Sequence, residues 1–190
     1  MKSKLKDIAE LQPGVHIKIS EDSNTEKVHI LGLRDFDDEL KYLGNAAEVN
    51  IQDVKDKYIV QKNHVLFSSR LKFNAFTLPK DSPKIFVASS SFIILKPRLD
   101  KVIPEYLIWY LNLPKTQAEF DYLSQATGRL PYISRRKLSE IEIELPDLSI
   151  QKEITHIVEL HDREKQLIQK LTQKKEQYIQ SILLKRATNE

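Results

Sequence analysis

A chain of 190 residues has room for one sizeable domain and an appendage. Its 41% apolar and 30% charged residues are ordinary for a globular fold, and the absence of cysteine excludes disulfides and thiolate metal sites. The formal net charge is only +3, no apolar h-region follows Met1, and no stretch is apolar for 18 residues, so the sequence predicts neither a signal peptide nor a membrane span and a cytoplasmic protein is expected.

Apolar Leu5, Ile8, Ala9 and Leu11 predict a short helix over Lys2–Leu11, closed by Pro13-Gly14. Alternation predicts strands at Val15–Ser20 and Glu26–Leu33, with Asp35–Glu39 as an acidic loop. Lys57–Gln61 and His64–Ser69 read as paired strands around Lys62-Asn63. Leu71–Leu78 and Lys84–Leu95 read as strands split by a Pro79/Pro83 turn, and Phe92–Leu95 as a buried run. Ser89–Ser91 is expected to be a packed turn. Pro104 occupies a first helical position before Glu105–Leu111, so Tyr106, Trp109 and Tyr110 are expected in the core. Pro114 ends that helix and Thr116–Leu123 forms the next. Ala126–Tyr132 is a loop, Ser134 caps a helix through Arg135–Glu140, and Ile141, Ile143 and Leu145 form a last half-buried strand. Strands dominate the first half and helices the second, without a βαβα repeat, which predicts an α+β class.

From Ile150 onward a heptad runs unbroken: Ile150, Ile154, Ile157, His161, Glu164, Ile168, Leu171, Lys175, Tyr178, Ile182. No Gly or Pro follows Pro146, so a helix over Ser149–Lys185 is predicted, about 55 Å long at 1.5 Å per residue. A stripe of that length needs a partner or must fold back on its own domain.

Charge is unevenly spread. Residues 1–60 hold 9 Lys/Arg and 12 Asp/Glu, whereas residues 61–98 hold seven basic residues (Lys62, Arg70, Lys72, Lys80, Lys84, Lys96 and Arg98) against Asp81 alone. Arg129, Arg135, Arg136 and Lys137 add a second basic group, while residues 147–190 are balanced at 8 basic to 7 acidic. Concentrated positive charge on the globular part suits a polyanion, or a solvated face. Phosphate-binding glycine loops, nucleophile elbows and H-E-x-x-H are absent. His156 and His161 are five apart and do not share a helix face as metal ligands. No Asn-Pro-Pro-Tyr-like methylation site is visible, and Asp53-Val54-Lys55 and Pro146-Asp147 stand in the wrong order for a nuclease. An enzyme is not expected, and no metal or cofactor is assigned.

The join Ile141–Ile154, in which an alternating strand runs through Pro146, Leu148 and Gln151 into the long helix, resembles DNA specificity subunits of type I restriction–modification systems. Four upstream segments resemble the same family: Tyr58–Arg70, Ala88–Pro97, Pro104–Leu111 and Gln125–Ser134. Asn63-His64 stands where the family often has Gly-Asp, and Asp147 and Ile150 where it often has Pro and Glu. The resemblance implies one target recognition domain over residues 1–147, a conserved spacer helix over 148–187, and a disordered tail at 188–190. It is thus similar to a half-length subunit. Such a half implies a homodimer joined by an antiparallel coiled coil, reading one half of a bipartite, palindromic duplex DNA target per copy. It further implies an adenine methyltransferase (modification) subunit and a restriction subunit as partners. S-adenosylmethionine, ATP and magnesium would then belong to those partners.

Within such a domain, Arg70, Lys72, Asn74, Lys80, Lys84, Arg129, Tyr132, Ser134, Arg135, Arg136 and Lys137 are the expected DNA-contacting residues. Arg70, Asn74 and Arg129 are the expected base readers, because arginine pairs with guanine and asparagine with adenine in the major groove. Two other readings stay open: a coiled-coil assembly module that binds protein without DNA, and a nuclease, for which no acidic metal ligands can be placed.

Overall fold

The computed structural model describes residues 1–16, 26–37, 39–51, 55–78, 84–124 and 130–188. They form two compact units, Met1–Gln151 and Lys152–Glu190.

The chain opens with β1 (Lys2–Lys4), the single-turn α1 (Leu5–Ile8) and β2 (Ala9–Pro13). The longer helix expected over Lys2–Leu11 is cut to four residues because strand pairing claims both flanks, a tertiary override of local propensity. Gly14 does not close a helix. A Cβ there would lie 2.0 Å from the Ser89 carbonyl oxygen, so glycine is required by close backbone approach. Val15 bridges Ser89 and His16 is outside any strand; residues 17–20 of the strand expected over Val15–Ser20 lie outside the described residues.

β3 (Glu26–Leu31) leads through a 3-10 turn at Leu33–Asp35 to β4 (Ala47–Ile51), an element the sequence reading missed. β5 (Ile59–Val60) and β6 (Val65–Ser68) occur where expected but do not pair with each other. Asn63, at φ 71°, turns the chain between them, and they enter different sheets. β7 is only Ala75–Phe76, because Leu71, at φ 66°, takes the preceding segment out of the strand. The strand expected over Lys84–Leu95 is two strands, β8 (Phe86–Ala88) and β9 (Phe92–Pro97), split by the turn at Ser89–Ser91.

The described residues form three sheets. One has the order β2-β9-β6-β7, antiparallel throughout. The second has the order β4-β3-β8-β5, with β3 and β8 parallel. β1 forms a third sheet with β10 (Glu142–Glu144), which follows the helices α2 (Pro104–Leu111), α3 (Pro114–Ser124) and α4 (Arg135–Ser139). The side-chain period of two divides the first sheet's faces. Leu66, Phe76, Phe92 and Ile94 pack with Leu31, Val60, Phe86 and Ala88 of the second sheet, and Phe36 joins them with its ring 4.4 Å from that of Phe76. On the opposite parity, Phe67 meets Phe120 of α3 at 5.1 Å.

Side-chain amides hold the joints between these layers. Asn112, the C-cap of α2, accepts from the Ala75 N–H at 2.8 Å and donates to the Ala75 carbonyl at 2.9 Å, pairing with the free edge of β7 as a strand would. Gln117 donates to the Phe73 carbonyl at 2.9 Å. Tyr106 is buried as expected; its hydroxyl donates to the Glu144 carbonyl, and burial pushes its pKa up to about 12.

α5 (Leu148–Ala187) runs 40 residues, about 60 Å at 1.5 Å per residue. Its first turn belongs to the globular unit, where Gln151 is fully buried. The Gln151 Oε1 accepts from the Ile103 N–H at 2.9 Å, and Nε2 donates to the Lys101 and Pro146 carbonyls at 3.0 and 2.8 Å.

Replacing Gln151 by Ala strands all three backbone groups. Thermal denaturation should show a loss of about 2–4 kcal/mol, or roughly 5–12 °C in midpoint. Gln151→Glu should not rescue it, because a carboxylate cannot donate to the two carbonyls. A second test concerns Glu140, whose carboxylate accepts from Lys4 Nζ at 2.7 Å and Lys6 Nζ at 2.6 Å. These bonds hold its pKa down to about 2. Its contribution to stability is therefore present above the ordinary carboxylate range and lost as pH falls towards about 2. Carboxyl NMR should find it titrating there, and Lys4→Ala should raise its midpoint.

Candidate nucleic-acid interface

Three separate stretches of chain meet where β6 ends. The Ser69 N–H donates to the Ser91 carbonyl at 2.9 Å, and the Ile133 N–H donates to the Ser69 carbonyl at 3.0 Å. Arg70 bridges Tyr132 in antiparallel register, with the Leu71 N–H donating to the Pro131 carbonyl at 3.3 Å. This crossing brings together two residues the sequence reading kept apart. The Arg70 guanidinium lies 5.5 Å from the centroid of the Tyr132 ring, a cation–π contact that leaves its edge N–H groups available as donors. A shallow cavity of about 150 Å³ opens beside them.

The next turn shows which cations are engaged in folding. Ser134 caps α4 as expected, its Oγ accepting from the Lys137 N–H at 3.3 Å. The Lys137 Nζ donates to the Leu123 carbonyl at 2.7 Å, within the last turn of α3, where a cation suits the helix end. Arg135 and Arg136 are exposed on the same short helix. Lys72 is exposed two residues beyond Arg70. Asn74 is half-buried, and its carbonyl accepts from the Ser68 N–H at 2.8 Å. Lys84 belongs elsewhere, two residues before β8 begins and close enough to Glu48 to act on its charge. The Glu48 carboxyl is held below its ordinary range first by its bond to Lys27. Lys80 and Arg129 lie outside the described residues.

The basic run over residues 61–98 is therefore not one face. Lys96 pairs with Glu10 at 3.3 Å, and Lys84 lies near Glu48. At the crossing stand Arg70 and Lys72 with exposed Leu71, Leu130 and Tyr132, and exposed Arg135 and Arg136 follow Tyr132 by three and four residues in the chain. Leu71 and Leu130 were not legible as site residues; the available signal was an apolar residue between two cations, Arg70-Leu71-Lys72, outside any alternating pattern. Among the described residues, no three His, Cys, Asp or Glu side chains gather as a metal site.

Residues 1–176 match the family described as "Type I restriction modification DNA specificity domain". The chain belongs to that family. It is 27% identical over 139 residues to the type I restriction enzyme HindI specificity subunit of Haemophilus influenzae, covering 70% of this chain and 30% of that protein. It is 25% identical over 159 residues to a Methanocaldococcus jannaschii protein named for the MjaX specificity subunit, covering 81% of this chain and 37% of the other. The chain thus spans about a third of the length of both relatives. In fold, this specificity domain is similar to the HsdS subunit of Thermoanaerobacter tengcongensis, at a TM-score of 0.63 and 19% identity over 86% of this chain and 37% of that one. It is also similar to the type I S subunit of M. genitalium, at a TM-score of 0.57 and 16% identity over 86% of this chain and 39% of that one.

The division between structural and solvent-facing cations can be read from melting. Ser134→Ala and Lys137→Ala should each lower stability by about 1 kcal/mol, or roughly 2–4 °C. Arg135→Ala and Arg136→Ala should stay within about 0.5 kcal/mol of the parent. A large loss from Arg135→Ala would show that its charge is also engaged in folding.

Proposed function

We propose that this chain is a sequence-specific DNA-binding specificity subunit of a type I restriction–modification system, without catalytic activity of its own. The family match carries the reading, because it runs from residue 1 through the globular unit and into α5 as far as residue 176. The exposed cations at the Arg70–Tyr132 crossing and on α4 supply the electrostatic complement to duplex DNA. No helix among the described residues is long and apolar enough to cross a membrane, and a cytoplasmic site of action fits a DNA partner.

α5 is the proposed assembly element. Ile157, Ile168, Leu171, Tyr178 and Ile182 of the heptad are all exposed in the single chain. So are Leu160, Leu167, Ile179 and Leu183, which the heptad reading passed over. Two of the polar seam residues face each other within the helix, His161 Nδ1 lying 3.7 Å from Glu164 Oε2. An antiparallel two-fold pair of such helices would join two recognition domains and make the target an inverted repeat split by an unread gap. The apolar face is broader than a two-helix seam, and the surplus suits a helix from a modification or restriction subunit. S-adenosylmethionine, ATP and magnesium would be held by those subunits. The same broad face supports the second reading, an assembly module without DNA binding.

Titrating binding to random-sequence duplex DNA against salt separates the two. A DNA-binding subunit should lose affinity steeply with salt, and removing Arg135 or Arg136 should reduce the log–log slope by about 0.9 for each phosphate no longer neutralised. Salt-independent or absent binding would favour the assembly module. Light scattering at micromolar concentration should give a dimer that Leu171→Asp dissociates; a monomeric parent chain would remove the homodimer from the proposal.

A further inference from the structure

We infer that Leu71, with Leu130 and Tyr132, forms an apolar notch that receives the 5-methyl group of a thymine next to a guanine contacted by Arg70. The inference rests on the DNA-binding reading above and assigns a specificity-determining role to two leucines.

Leu71 is in an unfavourable position in two respects. It is 59% exposed, so its side chain contributes little to the core. Its φ is 66°, and the Lys72 N–H donates to the Arg70 carbonyl at 2.9 Å across it. That bond and that φ define a γ-turn of the strained hand, where glycine would be more comfortable. A strained, exposed leucine is better explained by what it contacts than by what it stabilises. Single exposed apolar residues need no explanation, but here three gather around one opening. Leu130 is 76% exposed and Tyr132 44% exposed, and with Leu71 they line the cavity of about 150 Å³, which Leu33 and Ser91 also border.

Among the described residues, the lining contains no acid and one cation, Arg70, which is stacked on the Tyr132 ring. In the major groove the thymine 5-methyl is the one apolar group that the base edges present, and guanine offers the O6 and N7 acceptors that arginine pairs with. An apolar notch beside a held guanidinium is complementary to those two features on neighbouring bases. A protein partner would also cover an apolar notch, but Arg70 in its lining, with Arg135 exposed three residues after Tyr132, favours a polyanion.

The test selects preferred sites from a random duplex library with the full chain, then replaces each preferred thymine by deoxyuridine, which removes only the methyl group. The expected result is one position beside a guanine where the replacement weakens parental binding about threefold to tenfold, the range for burying a methyl-sized group or slightly more. Leu71→Gly and Leu130→Ala should bind thymine and uridine equally there while keeping the salt dependence of the parent. Leu71→Gly should melt no lower than the parent, since glycine relieves the turn, so its loss of discrimination cannot be misfolding. Parental binding that is indifferent to the methyl at every position, or discrimination that survives in both variants, overturns the inference while leaving DNA binding intact. Unchanged DNA selection in variants that fail to associate with a modification subunit overturns it in favour of a protein contact. Absence of any duplex binding removes the function proposed above and this inference with it.

Discussion

Burial of β9 on both faces is the constraint on which the rest of the globular unit depends. Phe92–Leu95 are all within the core, and β9 hydrogen-bonds to β2 on one side and β6 on the other. Phe92 and Ile94 join the cluster with the second sheet, while Ile93 and Leu95 share the parity that places Phe67 against α3. A strand with no solvent face cannot slip by one residue without exchanging all its neighbours, so its register is fixed. Both ends of this strand therefore become fixed reference points. The Ser91 carbonyl before it holds Ser69, and Ser69 in turn holds Ile133; the Arg70–Tyr132 crossing is built outward from that line.

Positive charge in this domain serves two separate ends, and sequence position does not sort them. Lys137 and Arg136 are neighbours, yet one is bonded to the end of α3 and the other is exposed. Lys4 and Lys6 share one carboxylate, which ties the first turn of the chain to the end of α4. Exposed ion pairs of this kind are weak individually. In the DNA-binding function proposed above their effect is subtractive, because each cation held by the fold is one fewer to offer to a phosphate.

The sequence reading succeeded where one local rule acts alone. Pro104 at a helix start, Ser134 as a cap, the alternation Ile141-Ile143-Leu145 and the long helix after Pro146 all appear in place. It failed where two long-range partners compete for one segment. Apolar Leu5–Leu11 has helical spacing, but β9 and β10 claim its flanks as strands. The segments flanking Asn63 have hairpin spacing, yet their partners β8 and β9 are distant in sequence and lie in separate sheets. At the candidate site, Arg70 and Tyr132 were each legible as residue types, whereas their contact was not, because it depends on a crossing between loops about sixty residues apart. Leu160 and Leu167 were passed over for a related reason: a two-helix template admits one seam, and these residues widen it.

The clasp of Asn112 on Ala75 has a consequence for how the molecule behaves in a crowded solution. β7 is a sheet edge of only two residues, and its shortness already limits pairing with a foreign strand. A carboxamide occupies both backbone groups of Ala75, so sheet growth stops there without proline or a charged guard residue. The loop after β6 can then carry the solvent-facing Leu71 without turning the adjoining sheet into a template for aggregation.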